Sequence, residues 1–182
     1  MRHLTLLCHA ATQAQSEGRF PVPDDRIMTG AHMPSREMVK PIRIVCAPER
    51  RAQDTAQLLG LQSVQEDALR DCDFGTWNGK PLKEIQRSDP GGAALWFDDP
   101  QARPHGGESL AELLARVSRW LDEFAENGHV IAVTHAAVMR AAALYVLEAP
   151  FPAFWRLDIQ PMSAIDLRSN GRFWTIRSLN DR

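Results

Sequence analysis

Two histidines, one arginine and one aspartate are the residues best placed to do chemistry. His9 and His135 each close a short apolar run, Leu4–Cys8 and Val130–Thr134, and each is followed by alanine. An imidazole can attack, carry a proton or donate a hydrogen bond. A lone histidine beyond a strand is more often an ordinary hydrogen-bonded loop residue, but the repeated pattern points to a shared task. Arg51 lies in the first turns of a helix that follows another apolar run, Ile42–Cys46. Taken alone it reads as a surface arginine. Asp71 opens the segment Asp71-Cys72-Asp73-Phe74-Gly75-Thr76-Trp77-Asn78-Gly79, in which either aspartate can simply form a turn. Cys8, Cys46 and Cys72 fall in the same stretches. Their number is odd and no CxxC spacing occurs, so no disulfide framework, metal or other cofactor is implied. Cysteines that end buried strands behave as small hydrophobes.

The elements that position these groups follow from periodicity. Leu4–Cys8, Ile42–Cys46 and Val130–Thr134 are short apolar runs of buried-strand length. Pro48 opens a helix that runs through Leu59 to Gly60. Shorter helices are expected over Pro81–Arg87 and Gly91–Asp98. A long one spans Ser109–Glu126, where Leu110, Leu113, Leu114, Val117, Leu121 and Phe124 repeat at three and four residues. Ala136–Leu147 is a helix packed on the third strand. Residues Thr12–Pro41 read as loop, with a short helix at Arg36–Val39 between two prolines. Arg156–Ile159, Ala164–Arg168 and Phe173–Arg177 alternate as strands do, and Ser169-Asn170-Gly171 joins the last two as a hairpin. Strand–helix alternation of this kind predicts an α/β fold, a three-layer α/β/α sandwich with a mostly parallel central sheet. Ligands bind beyond the carboxyl ends of such strands, which places His9, Arg51 and His135 at one sheet edge.

The chain has 182 residues, enough for one domain over 1–182 with a core that needs no staple. Lys and Arg number 21 against 23 Asp and Glu, a net charge of −2 that excludes a basic nucleic-acid binder. No apolar stretch is long enough to span a bilayer or form a signal core. A reducing cytoplasm is the expected compartment.

The ordered segments carry a resemblance. Leu6-Leu7-Cys8-His9-Ala10, Cys46 through Ala56, Asp71 through Gly79, Gly106-Gly107-Glu108-Ser109, and Val133 through Arg140 follow one another as blocks of the histidine phosphatase, or phosphoglycerate-mutase-like, superfamily. The resemblance covers nearly the whole chain. It implies a phosphomonoesterase without metal or cofactor, with a small phosphomonoester as partner, no nucleic acid, no membrane, and homodimerisation left open. His9 would be the nucleophile that becomes a phosphohistidine. Arg51 would grip the phosphoryl oxygens with its planar fork. His135 would donate to them in the transition state. Asp71 would protonate the leaving oxygen and then activate water. Cys8, His105 and Ala136 would complete the substrate site.

The chain also departs from the family pattern. Cys8 stands where the family has a phosphate-binding arginine, Ala10 where it has glycine, and Asp71 where it usually has glutamate. Ala11 and Gln15 replace the usual Glu and Asn of the first loop. An arginine at a phosphoryl group is worth ~10³–10⁵ in rate, against a total acceleration of up to ~10²¹ for phosphomonoesters, so its loss weakens rather than abolishes catalysis. A replacement cation is sought among Arg19, Arg50, Arg70 and His105, with His105 favoured because it adjoins the Gly-Gly-Glu-Ser loop. Trp96 and Trp155 are core residues or, less simply, walls for a planar substrate group. The short length resembles the small-molecule phosphatases of the superfamily, α-ribazole phosphatases among them, more than its mutases. A non-catalytic phosphoester-binding protein of the same fold is the alternative.

Overall fold

In the computed structural model, residues 1–28, 30 and 41–180 are described, and the helix expected at Arg36–Val39 lies outside them. The buried apolar runs become the middle of a six-stranded sheet: β1 (Arg2–Cys8), β2 (Arg43–Cys46), β3 (Val64–Gln65), β4 (Gly128–Thr134), β5 (Ala164–Ser169) and β6 (Trp174–Asn180). Their order is β3-β2-β4-β1-β5-β6. β1 to β4 run parallel, and β5 is antiparallel to both β1 and β6. The sheet is therefore mostly parallel, as predicted, and the hairpin at 169–171 closes its last two strands.

Among the described residues six α-helices accompany the sheet: α1 (Gln13–Ser16), α2 (Arg50–Leu58), α3 (Leu82–Ser88), α4 (Pro90–Asp98), α5 (Leu110–Glu123) and α6 (Ala136–Leu147). The chain steps one way along the sheet from β2 to β3 and the other way from β3 to β4. α2 packs against β2 and β4, and α6 packs on α5. Ser109 caps α5 in a reciprocal box with Glu112, and the face bearing Leu110, Leu113, Val117 and Leu121 is buried. α6 buries Val138, Met139 and Ala141 to Leu144.

Two features differ from the sequence reading. Residues 156–159 form no strand. Phe151–Arg156 winds instead into a 3-10 turn after Pro150, and the Leu157 carbonyl is taken by the Arg140 side chain at 2.7 Å rather than by a sheet neighbour. The predicted loop at 12–41 holds α1, whose capping box of Thr12 and Gln15 is a signal the sequence carries. β3 is only two exposed residues, too short to announce itself.

The β1–β4 register matters most. Cys8 sits opposite Thr134, so both strands end level and the His9 amide donates to the Thr134 carbonyl at 2.9 Å. Cys46 pairs with Val133, bringing the start of α2 to the same edge.

Candidate active site

His9 and His135 leave adjacent parallel strands at the same height, and their rings lie 5.1 Å apart, tilted by 59°. Both are buried. His9 Nδ1 lies 2.7 Å from its neighbour's carbonyl, Ala10 O. A carbonyl only accepts, so Nδ1 carries the proton and Nε2 keeps its lone pair. Burial, then the nearby His135 and Arg51, push the His9 pKa down to about 3, so the ring is neutral. The loop behind it is pinned because Thr55 Oγ accepts from the Ala10 amide at 2.9 Å and donates to the Arg51 carbonyl at 2.7 Å.

Arg51, 2% exposed, is aimed inward from the first turn of α2. Its guanidinium donates to His135 Nδ1 at 3.2 Å, to the Val22 carbonyl at 2.9 Å and to Asp71 Oδ2 at 2.7 Å. Burial raises the Asp71 pKa, but His135, Arg51 and His9 and the hydrogen bond from Arg51 outweigh it, leaving the carboxyl below its usual value. Asp73 plays a different part. It is exposed, and its carboxylate accepts from the Gly75 amide, forming a turn.

The sequence reading missed two residues that build this site. Glu49, the residue before α2, places Oε2 2.8 Å from His135 Nε2 and accepts the Asp71 amide on Oε1 at 3.0 Å. Its acidity two residues before Arg51, at a strand end, is the signal that was available. Arg116 on α5 grips Glu108 with two hydrogen bonds of 2.9 and 2.7 Å and donates to the Ala68, Arg70 and Asp71 carbonyls. It clamps the segment that carries Asp71. A single arginine on an amphipathic helix gives no such signal in sequence. The loop beyond is held backbone to backbone: a Cβ on Gly107 would lie 2.1 Å from the Asp73 carbonyl oxygen.

The remaining expected residues lie elsewhere or are spent. Cys8 is fully buried, and burial, then Asp71, push its thiol up to about 12, so it brings no charge. Ala136 opens α6 directly after His135, and its amide lowers the Cys8 thiol slightly against the larger effect of burial. His105 corrects an expectation. Its ring packs edge-on to Trp77 and Phe74, its Nδ1 accepts from the Gly107 amide, and burial lowers its pKa. A ring kept neutral supplies no replacement cation. Arg19 pairs with Glu17, Arg50 with Asp54, and Arg70 with Asp67 and Glu108. Trp96 and Trp155 pack on each other and on Phe97, as core residues do. Cys46 accepts from Ser63, and Cys72 donates to the Glu108 carbonyl. Among the described residues no cluster of His, Cys, Asp or Glu has the arrangement of a metal site, and no helix is long and apolar enough to cross a membrane.

The strand ends of a mostly parallel sheet thus bring together two buried histidines, an arginine and a carboxylate. The family model of the histidine phosphatase superfamily (branch 1) matches residues 4–182, and the chain belongs to that superfamily. A bifunctional protein of Mycobacterium tuberculosis is 31% identical over 137 residues, covering 70% of this chain and 38% of its own. The chain thus spans well under half of that relative. Phosphoserine phosphatase 1 of Hydrogenobacter thermophilus is 28% identical over 99% of this chain and 92% of its own. The solved α-ribazole phosphatase of Shigella flexneri superposes with a TM-score of 0.83 at 22% identity, over 99% of this chain and 96% of its own, and so shares the fold.

Proposed function

We propose that the protein is a phosphomonoesterase acting on a small phosphorylated metabolite through a phosphohistidine on His9. The observation that carries this reading is the His9 ring itself, neutral, with its proton turned to the Ala10 carbonyl and its Nε2 lone pair left for attack. Nε2 forms a bond to phosphorus while the ester P–O bond breaks. Arg51 and His135 hold the phosphoryl oxygens. Asp71 gives its proton to the departing alkoxide, then takes one from the water that cleaves the N–P bond, and inorganic phosphate leaves.

Asp71 is ionised while Arg51 holds it. Two events load it for its role as acid. The incoming phosphoryl group draws the Arg51 guanidinium away, and its negative charge raises the proton affinity of the carboxylate. The proton itself comes from solvent, to which the Asp71 side chain keeps 13% exposure. Relatives named as phosphatases of different small phosphomonoesters support the reaction class and leave the substrate to be found by screening.

The test is hydrolysis of p-nitrophenyl phosphate, with acid-labile, alkali-stable phosphoprotein trapped during turnover. Wild type is expected to turn over, and His9→Ala to lose ~10³-fold or more together with the trapped phosphoprotein. Turnover that survives His9→Ala overturns the reading. A second reading, a phosphoester-binding protein without turnover, is favoured by the uncharged Cys8 and by two carboxylates in the site, Asp71 on Arg51 and Glu49 on His135. It predicts no turnover on a panel of phosphomonoesters and saturable phosphate binding that depends on Arg51.

A further inference from the structure

A phosphoryl group entering between the two histidines meets an unfavourable charge balance. One guanidinium, Arg51, faces two carboxylates, Asp71 and Glu49, in one hydrogen-bonded set. Burial raises the Glu49 pKa, but the hydrogen bond from His135 leads the effects that outweigh it, so this carboxyl is ionised as well. With His9 neutral and His135 Nδ1 accepting from Arg51, the set carries a net negative charge, a poor receptor for a phosphate ester. Cys8 contributes no charge, and Arg19, Arg50 and Arg70 are paired elsewhere.

His135 is the group that can change this. It is 1% exposed, and solvent cannot stabilise a charge on it. Its Nε2 donates to Glu49 Oε2, while Nδ1 accepts from Arg51 in the free site. Glu49 cannot turn away, because its other oxygen holds the Asp71 amide. Among the described residues the charged or titratable groups shown around His135 are Glu49 and Arg51 at the start of α2, Asp71 from its loop and His9 just after β1, with Arg140 further along α6 held over the Phe154 ring.

We propose that Glu49 is a positioning residue that lets His135 take a second proton, on Nδ1, when a phosphoryl group binds, so that a Glu49–His135 ion pair supplies the positive charge that position 8 lacks. The proton comes from the monoanionic phosphate: its O–H bond breaks, the Nδ1–H bond forms, and the new donor turns to the phosphoryl oxygen it left. Arg51 Nε, released from Nδ1, faces the same oxygens. The inference rests on the phosphoryl-binding reading of the site, and it concerns how that binding is balanced in charge.

The test uses nitrogen-15 histidine resonances of the whole protein with saturating inorganic phosphate across pH 5–9. In wild type both His135 nitrogens are expected to be protonated when phosphate is bound near neutrality. In Glu49→Gln the second proton is expected to leave at least about one pH unit lower, a tenfold loss of proton affinity. Because activity then requires a charged His135, the alkaline limb of kcat/KM in Glu49→Gln moves to lower pH. The activity loss is ~30-fold at pH 7.5 and smaller at pH 5.5. Glu49→Asp restores most of it, and the penalty shrinks to a few-fold when Cys8→Arg is also present. A phosphate-bound His135 with one protonated nitrogen overturns the proposal. So does a titration unchanged by Glu49→Gln, or no phosphate-dependent change at His135 at all. If wild type proves not to hydrolyse esters, the phosphatase reading fails alone and the resonance experiment still decides this one. If Cys8→Arg does not fold, Glu49→Asp and the resonances decide it.

Discussion

Replacing His9 by Gln removes a ring that the fold forces to stay neutral, and the change is legible in stability as well as in rate. The unfolded chain takes up a proton on His9 near pH 6.5, whereas in the folded protein burial and the neighbouring His135 and Arg51 hold that event to about pH 3. Between those values the unfolded state binds more protons, so stability from this group is complete above about pH 6.5 and is lost as pH falls. Each unit of difference is worth about 1.4 kcal/mol, so His9 accounts for a loss of about 2 kcal/mol between pH 7.5 and 5 and about 4 kcal/mol by pH 3. The assay is urea unfolding of wild type and His9→Gln at half-unit steps from pH 7.5 to 4.5. Buffers are free of phosphate, because an anion bound only by the folded state would add its own pH dependence. His3, whose pKa burial and then His129 lower to about 4, contributes equally to both proteins and cancels in the difference. The wild-type curve should fall more steeply than the His9→Gln curve by about 2 kcal/mol over pH 7.5 to 5. Parallel curves would refute the reasoning: His9 would then titrate as an ordinary histidine, and the site would not hold a neutral nucleophile in acid.

Asp71→Asn should slow an alkyl phosphate by ~10²–10⁴ and p-nitrophenyl phosphate far less, because the nitrophenolate leaves without a proton; Asp73→Asn should leave both rates near wild type. Equal losses on both esters would remove Asp71 from the role of acid. Arg51→Lys keeps the charge but loses the fork that reaches His135, Val22 and Asp71 together, and kcat/KM should fall by ~10³ with the fold intact by circular dichroism. Gly107→Ala must move the Asp73 carbonyl and should lower stability by about 2 kcal/mol or more, seen as a drop in Tm.

The central elements were legible because each is a local pattern. β1 and β4 are built on short, largely apolar runs, α5 has a 3.6-residue stripe and a capping box, and α6 runs over the predicted residues, Ala136–Leu147. From where those strands stop, His9, Arg51 and His135 follow as neighbours at one sheet edge. The strand expected at 156–159 failed because alternation alone does not supply a partner, and the Leu157 carbonyl found Arg140 instead. His105 failed as a cation because its surroundings, Trp77 and Phe74, come from a distant segment and deny the ring its charge. The partners of Glu49 and Arg116 were hidden for the same reason, although the acidity of Glu49 near a strand end was legible. Glu49 meets His135 across 86 positions, and Arg116 gathers carbonyls from 45 to 48 positions away. Residue type and strand ends determined which groups reach the site. Tertiary packing decided their protonation and partners, because desolvation and pairing depend on what lies across the fold and not on what lies next in the chain.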